Sequence, residues 1–168
     1  IASGGAGSYS DFQNAIIKDL TKTLHVKNKK KNNSFICEGD FFLKSAFENK
    51  WDIKTIVINS SKSLNLEITK IINHCILNNV KVVGGDNKIL SKLSSNKNPQ
   101  NIIFKVKKKK FLFSDLNIKN TFVAIDGVMD PGNLGTILRT IDSFGVNDFI
   151  LVGNTVDQYK KEVVRSSM

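Results

Sequence analysis

TFVAIDGVMDPGNLGTILRTIDSFGVNDFILVG, residues 121–153, decides how the chain is read. Thr121–Ile125 (TFVAI) has the apolar, β-branched character of a buried strand. Three glycines and Pro131 then let the backbone turn sharply between Asp126 and Gly135. A helix follows to Phe144, Gly145 ends it, and Asp148–Val152 (DFILV) is the next strand. This is one βαβ unit, expected as a right-handed parallel crossover. Its loop stands above the C-terminal end of the first strand, where open α/β sheets bind ligands. Asn133 is expected to cap the helix from Leu134 onward.

The spacing gives that helix two faces. Leu134, Ile137, Ile141 and Phe144 are placed on the core side, and Thr136, Arg139, Thr140 and Ser143 form a polar stripe. Arg139 therefore points away from the core. Spacing alone favours reading Arg139 as a surface ion pair with Asp142, three residues on, worth only about 0–1 kcal/mol.

Upstream, short elements alternate. Phe12, Ile16, Leu20 and Leu24 recur every four residues from Asp11 towards Lys31, which predicts a helix ending in a basic tail. Strands are expected at Ser34–Cys37, Lys54–Ile58, Val80–Val83 and Asn101–Val106. Helices are expected at Asp40–Asn49, with Phe42, Ala46 and Phe47 inward, and at Leu64–Asn78, with Ile68, Ile71, Ile72, Cys75 and Ile76 inward. Asp86 can cap a short helix carrying Ile89, Leu90 and Leu93. The alternation indicates a compact α/β domain over residues 11–106. Residues 107–120 read as a basic linker and residues 121–168 as a second, incomplete domain. Residues 1–10 (IASGGAGSYS) read as a linker or the edge of a fragment and are set aside from the fold.

The 168 residues carry a net charge of +10, distributed unevenly. Residues 1–120 hold a net +12 and residues 121–168 a net −2. Of the 25 cations 23 are lysines, so Arg139 and Arg165 stand out, because a guanidinium offers a planar fork that an ammonium lacks. Lys27, Lys29, Lys30 and Lys31, and the run Lys107, Lys108, Lys109 and Lys110, are either solvated termini and tether or contacts for a polyanion. No apolar run approaches the roughly 18 residues of a membrane span. Two cysteines, Cys37 and Cys75, exclude a disulfide framework and read as reduced core thiols of a cytoplasmic protein. His25 and His74 are isolated, so no metal site is expected. Neither a phosphate-cradling G-x-x-x-x-G-K-[ST] nor a G-x-G-x-x-G is present. Glu38-Gly39 reads as a turn or cap before it reads as a functional carboxylate.

Asp130-Pro131-x-Asn133-x-Gly135, Arg139 and Phe144-Gly145, in strand–loop–helix–strand context, resemble the first motif of the SpoU/TrmH group of RNA ribose 2′-O-methyltransferases. Lys161-x-x-Val164-Arg165-x-Ser167 is similar to the stretch that follows it, and Phe35–Gly39 after a basic helix is similar to the family's substrate-binding domain. The resemblance implies a small ribosomal-protein-like α/β substrate-binding domain followed by the N-terminal βαβ part of an α/β knotted methyltransferase domain, with the knot region absent. It implies methyl transfer from S-adenosylmethionine to a ribose 2′-hydroxyl of RNA, most of all ribosomal RNA, without a metal. Asn133 would orient the ribose or the loop and Arg139 would grip the adjacent phosphate, as the catalytic pair. Arg165 and the two lysine clusters would contact RNA. The second and third motifs, which bind the cofactor and build a homodimer interface, would lie C-terminal to Met168. The resemblance thus implies an N-terminal fragment, inactive alone. A non-catalytic RNA-binding protein that uses its basic domain is the alternative reading.

Overall fold

The computed structural model describes residues 6–25, 32–94 and 96–167, with side chains from residue 13 onward. The chain divides into two compact units, Ile1–Lys108 and Lys109–Met168.

The first unit runs α1 (Ala6–His25), β1 (Ser34–Glu38), α2 (Asp40–Glu48), β2 (Ile53–Asn59), α3 (Leu66–Leu77), β3 (Lys81–Gly85), α4 (Asn87–Leu93) and β4 (Ile102–Lys107). Its sheet has the order β1-β4-β2-β3. β4 is antiparallel to both neighbours, whereas β2 and β3 are parallel, with Val57 opposite Val83. β1, β2 and β3 therefore share one direction, and their C-terminal ends open towards the starts of α2, α3 and α4.

Period-two alternation divides the apolar side chains between the sheet's faces. Ile36, Val57, Val83 and Ile103 face α1 and α4, which bring Ile16, Leu20, Leu90 and Leu93. Their alternates Cys37, Ile56 and Phe104 are buried on the other side, where α2 and α3 contact each other and the strands. Asn65 and Asp86 cap α3 and α4, accepting from the backbone N–H of Ile68 and Ile89 at 2.8 Å each. Glu38 is a fastener: it accepts from Ser94 Oγ at 2.8 Å and from the Gln100 backbone N–H at 2.7 Å. That ties the turn after β1 to the loop before β4.

Several expectations change. α1 begins at Ala6, inside the segment set aside as a linker. Lys107 belongs to β4 rather than to a linker, paired with Ser34, and the Lys108 N–H donates to the Asn33 carbonyl at 2.7 Å. Leu43 is the fully buried residue of α2, with Phe42, Ala46 and Phe47 only half-buried. Ile76 is 51% exposed, because at the end of α3 it has turned past the stripe that Ile68, Ile72 and Cys75 press on the sheet. The expected position of Phe12 concerns a side chain outside the described ones.

Both cysteines are buried, and burial pushes the Cys37 thiol from an ordinary value near 9.0 up to about 12 and raises that of Cys75. The thiolate is the reactive form, so both thiols should resist iodoacetamide at pH 8 in the native chain and react at once in denaturant. Mass spectrometry of the alkylated protein checks this. The folded state also holds the Cys37 proton more tightly than the unfolded chain does. Its contribution to stability is therefore complete below pH 9 and declines as pH rises towards 12.

The second unit contains a short 3-10 turn at Phe113–Asp115, then β5 (Phe122–Asp126), α5 (Pro131–Ser143), β6 (Asp148–Val152) and α6 (Lys161–Ser166). β5 and β6 pair in parallel with Ile125 opposite Leu151, as a βαβ unit requires. Ile125, Leu134, Ile141 and Val163 form its core, edged by Val123, Ile137, Leu138 and Phe149. Phe144 is no part of that core. It is 80% exposed, because it is the C-cap, where the chain leaves the helical path before Gly145 at φ +69°.

Candidate functional site

The loop after β5 is built by glycines and a helix cap. Gly127 turns at φ +68°, a conformation that L side chains rarely adopt. The Val156 N–H donates to the Val128 carbonyl at 2.9 Å, and Thr155 Oγ lies within 3.3 Å of the Ile125 carbonyl at the end of β5. These bonds tie the loop to the segment after β6. Gly153 lies against the Asp126 carboxylate, so close that a β-carbon there would collide with it. The loop is held from beneath, while Met129, Asp130, Gly132 and Asn133 are exposed above the strand.

Asp130, not Asn133, is the N-cap. Its Oδ1 accepts from the Asn133 N–H at 2.7 Å, and Pro131 takes the first helical position. Pro at that position lacks only an N–H that would have no helical partner, and its fixed φ already suits a helix. The Asp-Pro pair is the sequence signal for this cap, worth about 1 kcal/mol, and the nearer asparagine masked it. Released from capping, the Asn133 side chain stands in the helix's first turn and is exposed.

Thr136 and Thr140 turn their hydroxyls back to the carbonyls of Gly132 and Thr136, at 2.9 Å each, which fixes the polar stripe along α5. Arg139 is exposed on that side. It sits about 9 Å along the axis from Asn133. α6 closes on the adjoining side, where Ser166 Oγ donates to the Pro131 carbonyl at 3.1 Å. Ser166 also lies against Gly135, where an added β-carbon would meet the Ser166 backbone carbonyl carbon at 2.8 Å. Arg165, exposed in the last turn of α6, is thereby brought to the α5 start that carries Asn133.

Of the basic residues singled out above, Lys27, Lys29, Lys30 and Lys31 lie outside the described residues. Lys107 is exposed at the end of β4, and Lys108 is half-buried beside it. Lys109 and Lys110 open the second unit, both exposed. Among the described residues no three of His, Cys, Asp and Glu are placed to hold a metal, and no helix is long and apolar enough to cross a membrane.

The second unit has a hollow of about 520 Å³ lined by Phe144, Gly145, Asn147 and Asp148, at the N-terminal ends of the strands and away from the loop. Neither Asn133 nor Arg139 lines it. The start of α5 instead presents an exposed polar surface.

Fold and site define a two-part α/β protein: a mixed-sheet module, then a βαβ unit with a capped helix start above its first strand. Residues 14–103 match the MRM3-like substrate binding domain and residues 120–168 the SpoU rRNA Methylase family. The chain belongs to the SpoU/TrmH-type RNA methyltransferase family.

Relatives agree. The chain is 26% identical over 157 residues to the 23S rRNA (guanosine(2553)-2′-O)-methyltransferase RlmP of Bacillus subtilis, covering 92% of this chain and 58% of that protein. It is 27% identical over 158 residues to the mitochondrial rRNA methyltransferase 3 of Xenopus tropicalis, covering 90% of this chain and 38% of the relative. The crystal structure of an AdoMet-bound rRNA methyltransferase from Sinorhizobium meliloti superposes with a TM-score of 0.80 at 31% identity, over 93% of this chain and 58% of that one. The chain thus spans little more than half the length of the first curated relatives it matches.

Proposed function

We propose that this chain is the RNA-binding and acceptor-orienting portion of a ribose 2′-O-methyltransferase of the cytoplasm that acts on ribosomal RNA as a homodimer. The observation that carries the reading is the start of α5. There an Asp-Pro cap leaves Asn133 exposed above β5, with Arg139 exposed along the same polar side. S-adenosylmethionine supplies an electrophilic methyl group when bound. The chain's own work is on the acceptor. The ribose 2′-oxygen has to be aligned, has to lose its proton as the new O–CH₃ bond forms, and carries a phosphodiester next to it. Asn133 can hydrogen-bond the ribose. Arg139 can grip the neighbouring phosphate through two parallel N–H donors and stabilise the developing charge on oxygen. A guanidinium offers five N–H donors and no acceptor, so clamping rather than proton abstraction is the role its chemistry favours.

The lysine-rich first unit supplies the sequence-independent part of affinity. Binding of residues 1–168 to a structured ribosomal RNA fragment should weaken steeply with salt, by the slope that several neutralised phosphates give. In a complete protein containing this segment, the modified nucleotide should resist alkaline cleavage, since a 2′-O-methyl group removes the attacking hydroxyl. A salt-independent association, or methylation found on a base, would refute the proposal.

A further inference from the structure

A second feature lies in the first unit, at the end of the sheet remote from α4. A cavity of about 570 Å³ opens where α2 and α3 finish and β2 and β3 begin. Phe47, Trp51 and His74 line it with Glu48, Asp52 and Cys75. Its walls are held in place. Trp51 meets Phe35 edge-on with ring centroids 5.7 Å apart, and Phe47 meets His74 edge-on at 5.1 Å. The Trp51 backbone N–H donates to the Ala46 carbonyl at 2.9 Å across Lys50, which turns at φ +52° and so folds the tryptophan back over the end of α2.

The lining combines three aromatic or heteroaromatic rings with the exposed side chains of Glu48, Asp52 and Lys50, and further lysines stand at the border. Lys54 and Lys81 are exposed and adjoin the lining residues Ile53 and Val80 in sequence. Lys54 is paired with Asp52 at 2.7 Å. Lys107, exposed at the end of β4, donates its backbone N–H to the Asp52 carbonyl at 2.9 Å. The carboxylates can accept from base N–H groups, and the lysines at and around the opening attract phosphates. The volume falls in the range of small-molecule sites, roughly 300–1,000 Å³.

We infer that this cavity receives an unpaired nucleobase of a single-stranded RNA segment whose phosphates run along Lys54, Lys81 and Lys107. The inference rests on the RNA-binding reading above and adds a second, remote subsite to it. Single strands are the form of RNA whose bases can leave the stack and enter an aromatic pocket, and stacking on such side chains tolerates any base.

Trp51 is the one tryptophan of the chain, so its emission reports on the cavity directly. Residues 1–168 should be titrated with a short single-stranded oligoribonucleotide, with the same strand made abasic, and with a blunt duplex. The single strand should quench Trp51 saturably, and the abasic strand and the duplex should not. Trp51→Leu should weaken single-strand affinity about tenfold with the salt slope unchanged. Because Trp51 is half-buried, His74→Ala, at an exposed residue, serves as the second variant and should give a loss of about fivefold. Salt-dependent binding that leaves Trp51 emission untouched, quenching by the abasic strand, or undiminished affinity in both variants would overturn the pocket and leave the RNA reading standing. Absence of salt-dependent binding to any of the three would remove both.

Discussion

Gly135→Ala should lower the stability of the chain by about 1–3 kcal/mol, the usual cost of forcing extra atoms into a packed contact. Elsewhere in a helix the same exchange raises stability by up to about 1 kcal/mol, because alanine is the better helix former. The sign reverses here because α6 crosses α5 at this residue. The new β-carbon would lie 2.7 Å from the Ser166 β-carbon and 2.8 Å from its backbone carbonyl carbon. A side chain could swing away, but the backbone can yield only if α6 moves. Trimming the partner in a Gly135→Ala, Ser166→Gly double variant should therefore restore only part of the loss. Undocking α6 would also break the bond from Ser166 Oγ to the Pro131 carbonyl, so the start of α5 should loosen together with it. Urea denaturation followed by circular dichroism, with hydrogen exchange at the α6 amides, gives both readouts. A raised midpoint would mean that the two helices are not in close contact.

The difference between Gly135 and its neighbours also shows what a sequence can disclose. Periodicity correctly placed Leu134 and Ile141 in the second core and Ile68, Ile71, Ile72 and Cys75 in the first, since each lies well inside a helix whose face is fixed by several turns. It failed at helix ends. Phe144 and Ile76 continue the spacing arithmetically, but one sits where the helical path stops and the other where the stripe has rotated off the sheet. The cap at Asp130 was legible in principle from the following proline, whereas the choice of Asn133 followed residue type alone. Gly135 could not be understood locally at all, because its constraint comes from Ser166, 31 positions later. The cavity around Trp51 belongs to the same kind, its walls drawn from the ends of two helices and the strands beside them. The βαβ loop was readable because its determinants are consecutive, and the remote hollow was not because its determinants are scattered.

Arg139→Lys, made in a complete protein that carries this segment, should reduce kcat/KM for 2′-O-methylation by about 100-fold or more, the scale of losing a preorganised transition-state contact. The substitution keeps a positive charge on an exposed position of α5, so neither folding nor long-range attraction should account for the loss. What changes is shape. A guanidinium can place two parallel donors on a phosphate, and an ammonium cannot. If the clamp is right, replacing the charged phosphate next to the target ribose by a neutral methylphosphonate should cost the arginine enzyme much more than the lysine enzyme. The two losses should then combine far less than additively. Proton abstraction at Arg139 makes the opposite forecast. Lysine, with an ordinary pKa near 10.4, would be the easier base to generate, and the variant's rate should climb towards the wild-type rate as pH rises to about 10. A pH profile parallel to that of the wild type, together with insensitivity to the methylphosphonate, would identify phosphate gripping as what Arg139 contributes. A pH-driven rescue would assign it the proton instead.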